Sequence, residues 1–244
     1  MYGRAAAPRR RPGTVPPRFE SGSVARIEVL CWNLFHGRSQ PPAGRSLLPE
    51  FGRALAGWTW DVALLQEVPP WWPEPLARAT GATVRSALTS RNSLLALRRA
   101  IASRNPDLLK SNGGGANAIL VRSGAIAEHR ERELTRKPER RVLHGVALRD
   151  GGWVTNLHGS THPPEQRRSD LFLAAETALG WAGGGPLVFG GDLNSTQPAM
   201  PGLTLVAGNH VDHVMVAGRA AGAVQAVLDA GPLSDHEPLH VSLG

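Results

Sequence analysis

The sequence predicts an α/β domain with a mixed, strand-rich core, and three observations carry that expectation. Short β-branched or leucine-rich runs recur along the chain, several of them apolar almost without interruption, as in strands covered on both faces. Between some of these runs lie two stretches with apolar residues at helical spacing. Hydrophobic residues make up 41% of the 244 residues, enough to bury a sizeable core and to exclude a wholly disordered chain.

Taken in order, residues 1–22 stand apart. They hold five arginines, the single acid Glu20 and four prolines, with no hydrophobic period, and read as a disordered Arg/Pro-rich tail that cannot offset its ordering entropy. The domain is expected over residues 23–244. Its first strand is Arg26–Asn33, and Leu47, Leu48, Phe51 and Leu55 mark a helix at i, i+1, i+4, i+8. Further strands are expected at Asp61–Gln66, Ala116–Arg122, Gly152–His158, Pro186–Gly190, Val211–Ala217 and Ala223–Asp229. Leu171, Ala174, Ala175, Ala178 and Leu179 mark a second helix, and Pro163–Pro164 suits its start. Residues 89–115 form the least regular part, cationic at Arg91, Arg98, Arg99, Arg104 and Lys110 against the lone acid Asp107. Arg130–Arg141 reads as a solvated hairpin, and Trp71–Trp72 as either core packing or a stacking surface.

Composition excludes several function classes. One cysteine, Cys31, allows no intramolecular disulfide framework and no multi-cysteine zinc or iron–sulfur centre, and core packing is its default role. No apolar run approaches the roughly 18–20 residues of a membrane span, so stable insertion is not expected. No apolar segment or cleavage site follows Arg9–Arg10, which points to a cytoplasmic protein; a monomer is expected. The formal charge of +7 invites a nucleic-acid partner. The tail supplies +4 of it, five arginines less Glu20, and residues 23–244 carry 22 cations against 19 acids, only +3. The invitation is therefore weaker for the body than for the whole chain.

The informative residues are polar groups where strands stop. They are Trp32-Asn33, Leu65-Gln66-Glu67, Asn156-Leu157-His158, Gly191-Asp192-Leu193-Asn194, Asp212-His213 and Ser234-Asp235-His236. Loops at the carboxyl ends of strands can converge on one crevice. A set rich in carboxylate and amide oxygen suits a hard cation, Mg²⁺ or Mn²⁺. Each motif alone is weak; the ordered set is specific. His158/His162 has the i, i+4 spacing of a zinc pair, but Gly159 and Pro163–Pro164 argue against a helix there. His240 reads as structural, and His36 either as a loop residue or as one that reaches the site.

Through these motifs the chain resembles the endonuclease/exonuclease/phosphatase superfamily over about residues 24–243. The resemblance implies a deoxyribonuclease I-like fold, a four-layer sandwich of two mixed β-sheets flanked by helices, and divalent-metal-dependent hydrolysis of phosphoesters. It further implies that Glu67 is the principal metal ligand, with Asn33 and Asp235 close to the metal directly or through water. His236 would act on the attacking water or at the phosphate, with Asp212 holding its other nitrogen. Asp192 and Asn194 would sit beside the nucleophile, and His158 would donate to the phosphoryl group or leaving oxygen. Asp192 and His236 both remain candidates for the general base. Asn117 and Asn156 are expected to face substrate.

The arginine excess favours a nuclease acting on DNA. A lipid or small-molecule phosphoesterase is the alternative, and a non-catalytic binding protein a third reading. The marks of particular subfamilies are missing: Val68-Pro69-Pro70 follows Glu67 where abasic-site endonucleases carry a lysine, and Ser195-Thr196-Gln197 follows Asn194 where inositol 5-phosphatases carry an arginine.

Overall fold

A computed structural model describes residues 26–90, 92–109, 115–122, 125–149, 151–218 and 222–244. The predicted tail at 1–22, Arg91 and Lys110 lie outside the described residues. Among the described residues twelve strands form two six-stranded sheets. The first has the order β11-β12-β1-β2-β4-β3, with β1 Ile27–Asn33, β2 Val62–Val68, β3 Thr83–Leu88, β4 Ala116–Val121, β11 Ala223–Val227 and β12 Leu239–Leu243. The second has the order β5-β6-β7-β8-β10-β9, with β5 Ile126–Thr135, β6 Arg141–Leu148, β7 Trp153–His158, β8 Leu187–Asp192, β9 Thr204–Asn209 and β10 Asp212–Ala217. Among the described residues there are four α-helices, α1 Leu48–Gly57, α2 Pro73–Thr80, α3 Leu95–Arg104 and α4 Pro164–Ala182.

Each sheet contains one parallel pair, β1 with β2 and β7 with β8, while every other pairing is antiparallel. Parallel neighbours need a long crossover. Here α1 connects β1 to β2, and α4 connects β7 to β8. Side chains alternate across each strand, so every strand feeds two apolar layers. Val29, Cys31, Val62, Leu64, Ile119, Val121, Val146, Val154, Val188 and Val214 meet between the sheets. Leu30, Trp32, Ala63 and Leu65 point outward onto Phe51, Leu55 and Leu76 of α1 and α2. Leu143, Leu157, Leu187 and Phe189 point the other way, onto Leu171, Ala174 and Ala178 of α4. The result is the four-layer sandwich that the resemblance implied, with the mixed, strand-rich core expected from the apolar runs.

The seven expected strands are all present, with ends displaced by a residue or two. The expected hairpin at Arg130–Arg141 is β5 and β6. Its outer strand alternates charge on an edge, where solvated side chains guard the unpaired ladder. Strands β3 and β9 escape sequence reading because they are half-exposed edges without a long apolar run. Helix α2 begins at Pro73, which pre-sets the helical φ at its first position. Trp72 is buried and Trp71 half-buried against the same apolar layer, which resolves the tryptophan pair as core. A Cβ on Gly37 would lie 2.4 Å from the Trp72 ring, and Gly37 has φ of +77°. Only glycine lets the chain turn so close to that indole. Arg122 stacks on Trp60 at 3.9 Å and donates to the carbonyls of Leu55 and Trp58, closing the carboxyl end of α1.

Candidate active site

The carboxyl ends of the two parallel pairs open onto the same crevice. From β1 comes Asn33, from β2 Glu67, from β7 His158 and from β8 Asp192. Strand β10 runs antiparallel to β8 and opens with Asp212 directly opposite Asp192. The turn before β12 supplies Ser234, Asp235 and His236. It is tied down from below: the Ser234 hydroxyl donates to the Asn33 carbonyl at 2.6 Å, the His236 amide donates to the Ser234 hydroxyl at 3.1 Å, and the Trp32 indole donates to the His236 carbonyl at 2.9 Å.

Asp192 is the hub. Its Oδ2 accepts from the Asn33 amide at 3.0 Å and lies 3.5 Å from His158 Nε2 and 3.8 Å from His236 Nε2. Its Oδ1 accepts from the Asn194 backbone at 3.0 Å, and the Asn194 side chain donates to the Gly159 carbonyl at 3.0 Å. Gly191 has φ of +145°, and a Cβ there would sit 1.8 Å from the Leu157 carbonyl oxygen. The Gly191-Asp192 pair is thus how β8 presses against β7 and delivers the carboxylate. Three of the polar residues sit in left-handed backbone, Glu67 (φ 50°), Asn194 (φ 51°) and Ser234 (φ 69°). Such positions carry strain that the surrounding structure must hold in place.

Asp212 Oδ2 and His236 Nδ1 are 2.7 Å apart. Burial by itself would push the imidazolium's pKa down, but the Asp212 hydrogen bond and the charges of Asp212, Asp192 and Asp235 outweigh it and hold His236 up at about 9. Burial pushes Asp212 up to about 6 in spite of that hydrogen bond. The proton belongs to His236 and the charge to Asp212. His158 is the opposite case. Burial, together with the Arg141 charge, lowers it to about 3, so its imidazole is neutral. Glu67 is raised by burial and by Asp192 and Asp235, against the lowering charge of His158.

Most of the predicted site residues therefore converge: Asn33, Glu67, His158, Asp192, Asn194, Asp212 and His236. Asp235 is exposed beside them, and its charge is felt at Glu67, Asp212 and His236. The two asparagines expected to face substrate are placed differently. Asn156 is fully buried, donates to the carbonyls of Leu65 and Ala118 at 3.0 Å each, and accepts from Gln66 at 2.7 Å. Both its amide hydrogens are consumed tying the sheets together, which corrects the expectation that it faces substrate. Asn117 is also buried in β4, reaches the Val142 carbonyl at 3.5 Å, and leaves its Oδ1 without a partner.

Two further side chains join the crevice. His36 brings Nε2 to 3.1 Å from Glu67, in a turn whose backbone is left-handed at Phe35 and His36. Arg141, expected as one charge of a solvated hairpin, is buried at the start of β6. It pairs with Glu139 at 2.5 Å, has a buried Nε without a partner, and feels the charges of Glu67 and Asp192. The signal for it was available: Arg141 immediately precedes Val142-Leu143 and Val146-Ala147-Leu148, a mainly apolar strand interrupted only by His144 and Gly145.

A cation fits this donor set. Four carboxylates, Glu67, Asp192, Asp212 and Asp235, face one another's charge, and Asp212 Oδ1 is buried without a hydrogen-bond donor. Ligand atoms of Asp192, Asp212 and His236 lie within 4.8 Å of one another. Hard oxygen donors of this kind suit Mg²⁺, Mn²⁺ or Ca²⁺ better than a soft metal.

Carboxylates, a carboxylate-held imidazole and a buried guanidinium on a two-sheet sandwich define a phosphoester hydrolase. The comparisons agree. Residues 30–236 match the endonuclease/exonuclease/phosphatase family, and the chain belongs to it. Members of that family are metal-dependent phosphoesterases. No curated protein matches the chain in sequence. Among solved structures it is similar to TDP2 of Caenorhabditis elegans, with 15% identity, a TM-score of 0.64, and 90% of this chain and 74% of that one covered. It is similar to a family protein from Beutenbergia cavernae, at 17% identity and a TM-score of 0.65, covering 89% and 71% of the two chains. A mannosyl-6-phosphatase of Bacteroides thetaiotaomicron is likewise similar, with 17% identity, a TM-score of 0.60, and coverage of 89% and 99%. At these identities the likeness shows the fold.

Proposed function

We propose that the chain hydrolyses phosphodiesters with Mg²⁺ or Mn²⁺ bound among Glu67, Asn33 and Asp235, and that DNA is the substrate its arginine excess favours. The observation that carries the reaction is the Asp212–His236 pair at 2.7 Å, with His236 Nε2 turned toward Asp192. Asp212 fixes the Nδ1–H tautomer, which leaves Nε2 as the nitrogen that exchanges a proton with water or phosphate. Asp192, 3.8 Å from that nitrogen, orients the attacking water, while Asn33 and the Asn194 backbone hold its two oxygens. Neutral His158 donates from Nε2 to a phosphoryl or leaving oxygen. Arg141 supplies a buried positive charge for the anionic ester, and the orphaned Asn117 Oδ1 lies one residue inside the mouth of β4. A divalent cation, when bound, supplies charge neutralisation on the phosphoryl oxygens, which lowers the barrier to attack on an anion.

A second reading, a lipid or small-molecule phosphoester as substrate, has one observation in its favour. Leu94, Leu97 and Leu108 stand exposed on the segment next to the crevice. The test of both is a panel of supercoiled DNA, RNA, phospholipid and bis(p-nitrophenyl) phosphate, each with Mg²⁺ and with chelator. Chelator-sensitive cleavage of DNA supports the first reading, and cleavage of phospholipid but not DNA supports the second. Chelator-insensitive hydrolysis throughout would remove the metal from the mechanism.

A further inference from the structure

We infer that residues 92–109, between β3 and β4, form an arm that docks this protein on an anionic bilayer surface. The arm leaves the sandwich through a narrow neck. The Thr89 amide donates to the Gly115 carbonyl at 3.0 Å, and the Asn92 side chain bridges the carbonyls of Thr89 and Gly115 at 3.1 and 3.0 Å. The neck adjoins the active site, since a Cβ on Gly115 would lie 3.7 Å from the His36 ring, and His36 touches Glu67. Beyond the neck, α3 buries none of its residues. Leu94 is 75% exposed, Leu97 57% and Leu108 72%, an uncommon density of bare leucine in about fifteen residues.

The charge on the arm selects the occupant. Arg98, Arg99 and Arg104 stand on α3, and the one acid, Asp107, accepts the Gly44 amide at 2.8 Å at the base of the arm. Bare leucine beside arginine fits a surface with anionic groups outside and hydrocarbon just beneath. Nucleic acid offers the anions but no hydrocarbon, and single strands are gripped by aromatic stacking; residues 89–115 contain no aromatic side chain. A second copy of this chain would oppose three arginines to three arginines. Docking through the arm would hold the crevice at the height of lipid phosphate. That consequence rests on the second substrate reading; the docking itself does not.

The test is co-sedimentation of the full chain with vesicles of phosphatidylcholine containing 30% phosphatidylserine or none, compared with Leu94→Glu/Leu97→Glu and Arg99→Glu/Arg104→Glu. Expected is at least ~10-fold weaker binding of each variant to the phosphatidylserine vesicles, and weak binding of the wild type to phosphatidylcholine alone. Hydrolysis of bis(p-nitrophenyl) phosphate should stay within about twofold of wild type in both, because neither pair touches the catalytic groups. Vesicle binding unchanged in the leucine variant would overturn the proposal and assign any lipid affinity to the arginine-rich tail. So would loss of DNA binding or of a wild-type dimer in that variant with vesicle binding intact. Absence of diester hydrolysis by the wild type would sink the phosphoesterase reading and leave the vesicle result standing.

Discussion

Replacing Asp212 by Asn changes one atom type at the centre of the site. In the native chain Asp212 Oδ2 accepts from His236 Nδ1 at 2.7 Å, and His236 is held at about 9 against an ordinary 6.5. Burial works to lower that pKa, and Asp212 contributes both the hydrogen bond and the nearest negative charge that raise it; Asp192 and Asp235 contribute less. The variant should therefore return His236 to about 7 or below, a change of roughly 3 kcal/mol or more in the preference for imidazolium. The sign for stability follows. A base whose folded pKa is raised stabilises the fold below its unfolded pKa of 6.5, and loses that contribution as pH climbs through 9. Asp212, raised to about 6 by burial, opposes it once ionised. Metal-free native protein should lose Tm between pH 7 and 10, and Asp212→Asn should lose far less. Imidazole NMR titration in chelator assigns the pKa, with His236→Ala identifying the resonance. With Mg²⁺ the variant should hydrolyse bis(p-nitrophenyl) phosphate at least ~10²-fold more slowly, although its imidazole is more often neutral, because the imidazolium formed on proton transfer has lost its counter-charge. A His236 titration displaced by less than half a unit, or turnover near wild type, would refute the assignment of Asp212 as the group that holds His236.

Other perturbations separate the remaining roles. His236→Ala should lower kcat by at least ~10²-fold with little change in fold, measured by turnover beside circular dichroism. Glu67→Gln should shift the Mg²⁺ titration of activity to at least ~10-fold higher concentration, and an unchanged titration would exclude Glu67 from the metal. Arg141→Lys keeps the charge but loses the planar fork, and should raise KM on the order of 10-fold with kcat less affected. Asn156→Ala strands the carbonyls of Leu65 and Ala118 between the sheets, which should cost ~2–4 kcal/mol and lower Tm by roughly 5–15 °C; a change confined to KM would instead restore Asn156 as a substrate contact.

The strand-rich core was legible because its central strands are covered on both faces and so read as unbroken apolar runs: Val-Leu-Cys-Trp in β1, Val-Ala-Leu-Leu in β2, Ala-Ile-Leu-Val in β4; the division into two sheets came from the resemblance. The edges were not legible. Strand β5 alternates His129, Arg130, Glu131, Arg132 and Glu133, a pattern that serves a guarded edge and a loop equally well. The convergence of the site was legible for the same reason as the core, since polar residues that end apolar runs mark strand ends, and the parallel pairs β1/β2 and β7/β8 bring four of those ends together. What a linear pattern withholds is how deep between the sheets a strand residue lies. Asn156 precedes His158 by two and shares its strand, yet it spends its amide on Leu65, Ala118 and Gln66.

Arg141 shows the converse. By composition it belonged to a solvated hairpin with Arg130, Arg132, Arg136 and Arg140, and its neighbours do form exposed pairs with Glu128 and Glu133. One residue further on the strand enters the sheet, and the same guanidinium is buried beside Glu67, Asp192 and His158. A buried charge is tolerated where opposite charge compensates it, and Arg141 is compensated first by Glu139 of its own hairpin, at 2.5 Å, and then by the carboxylates of the crevice, Glu67 and Asp192. The backbone tells the same story. Glu67, Asn194 and Ser234 hold left-handed φ with ordinary side chains, and Glu67 sits where the β2–β4 register slips between Leu65 and Val68. A glycine would relieve each of these positions and lose the polar group that the crevice uses. The same conflict between local preference and observed conformation occurs at Phe35, Leu94 and His210 outside the crevice. Four of the seven such residues among those described, His36, Glu67, Asn194 and Ser234, nevertheless border it, and strain of this kind persists only where the surrounding structure holds it in place.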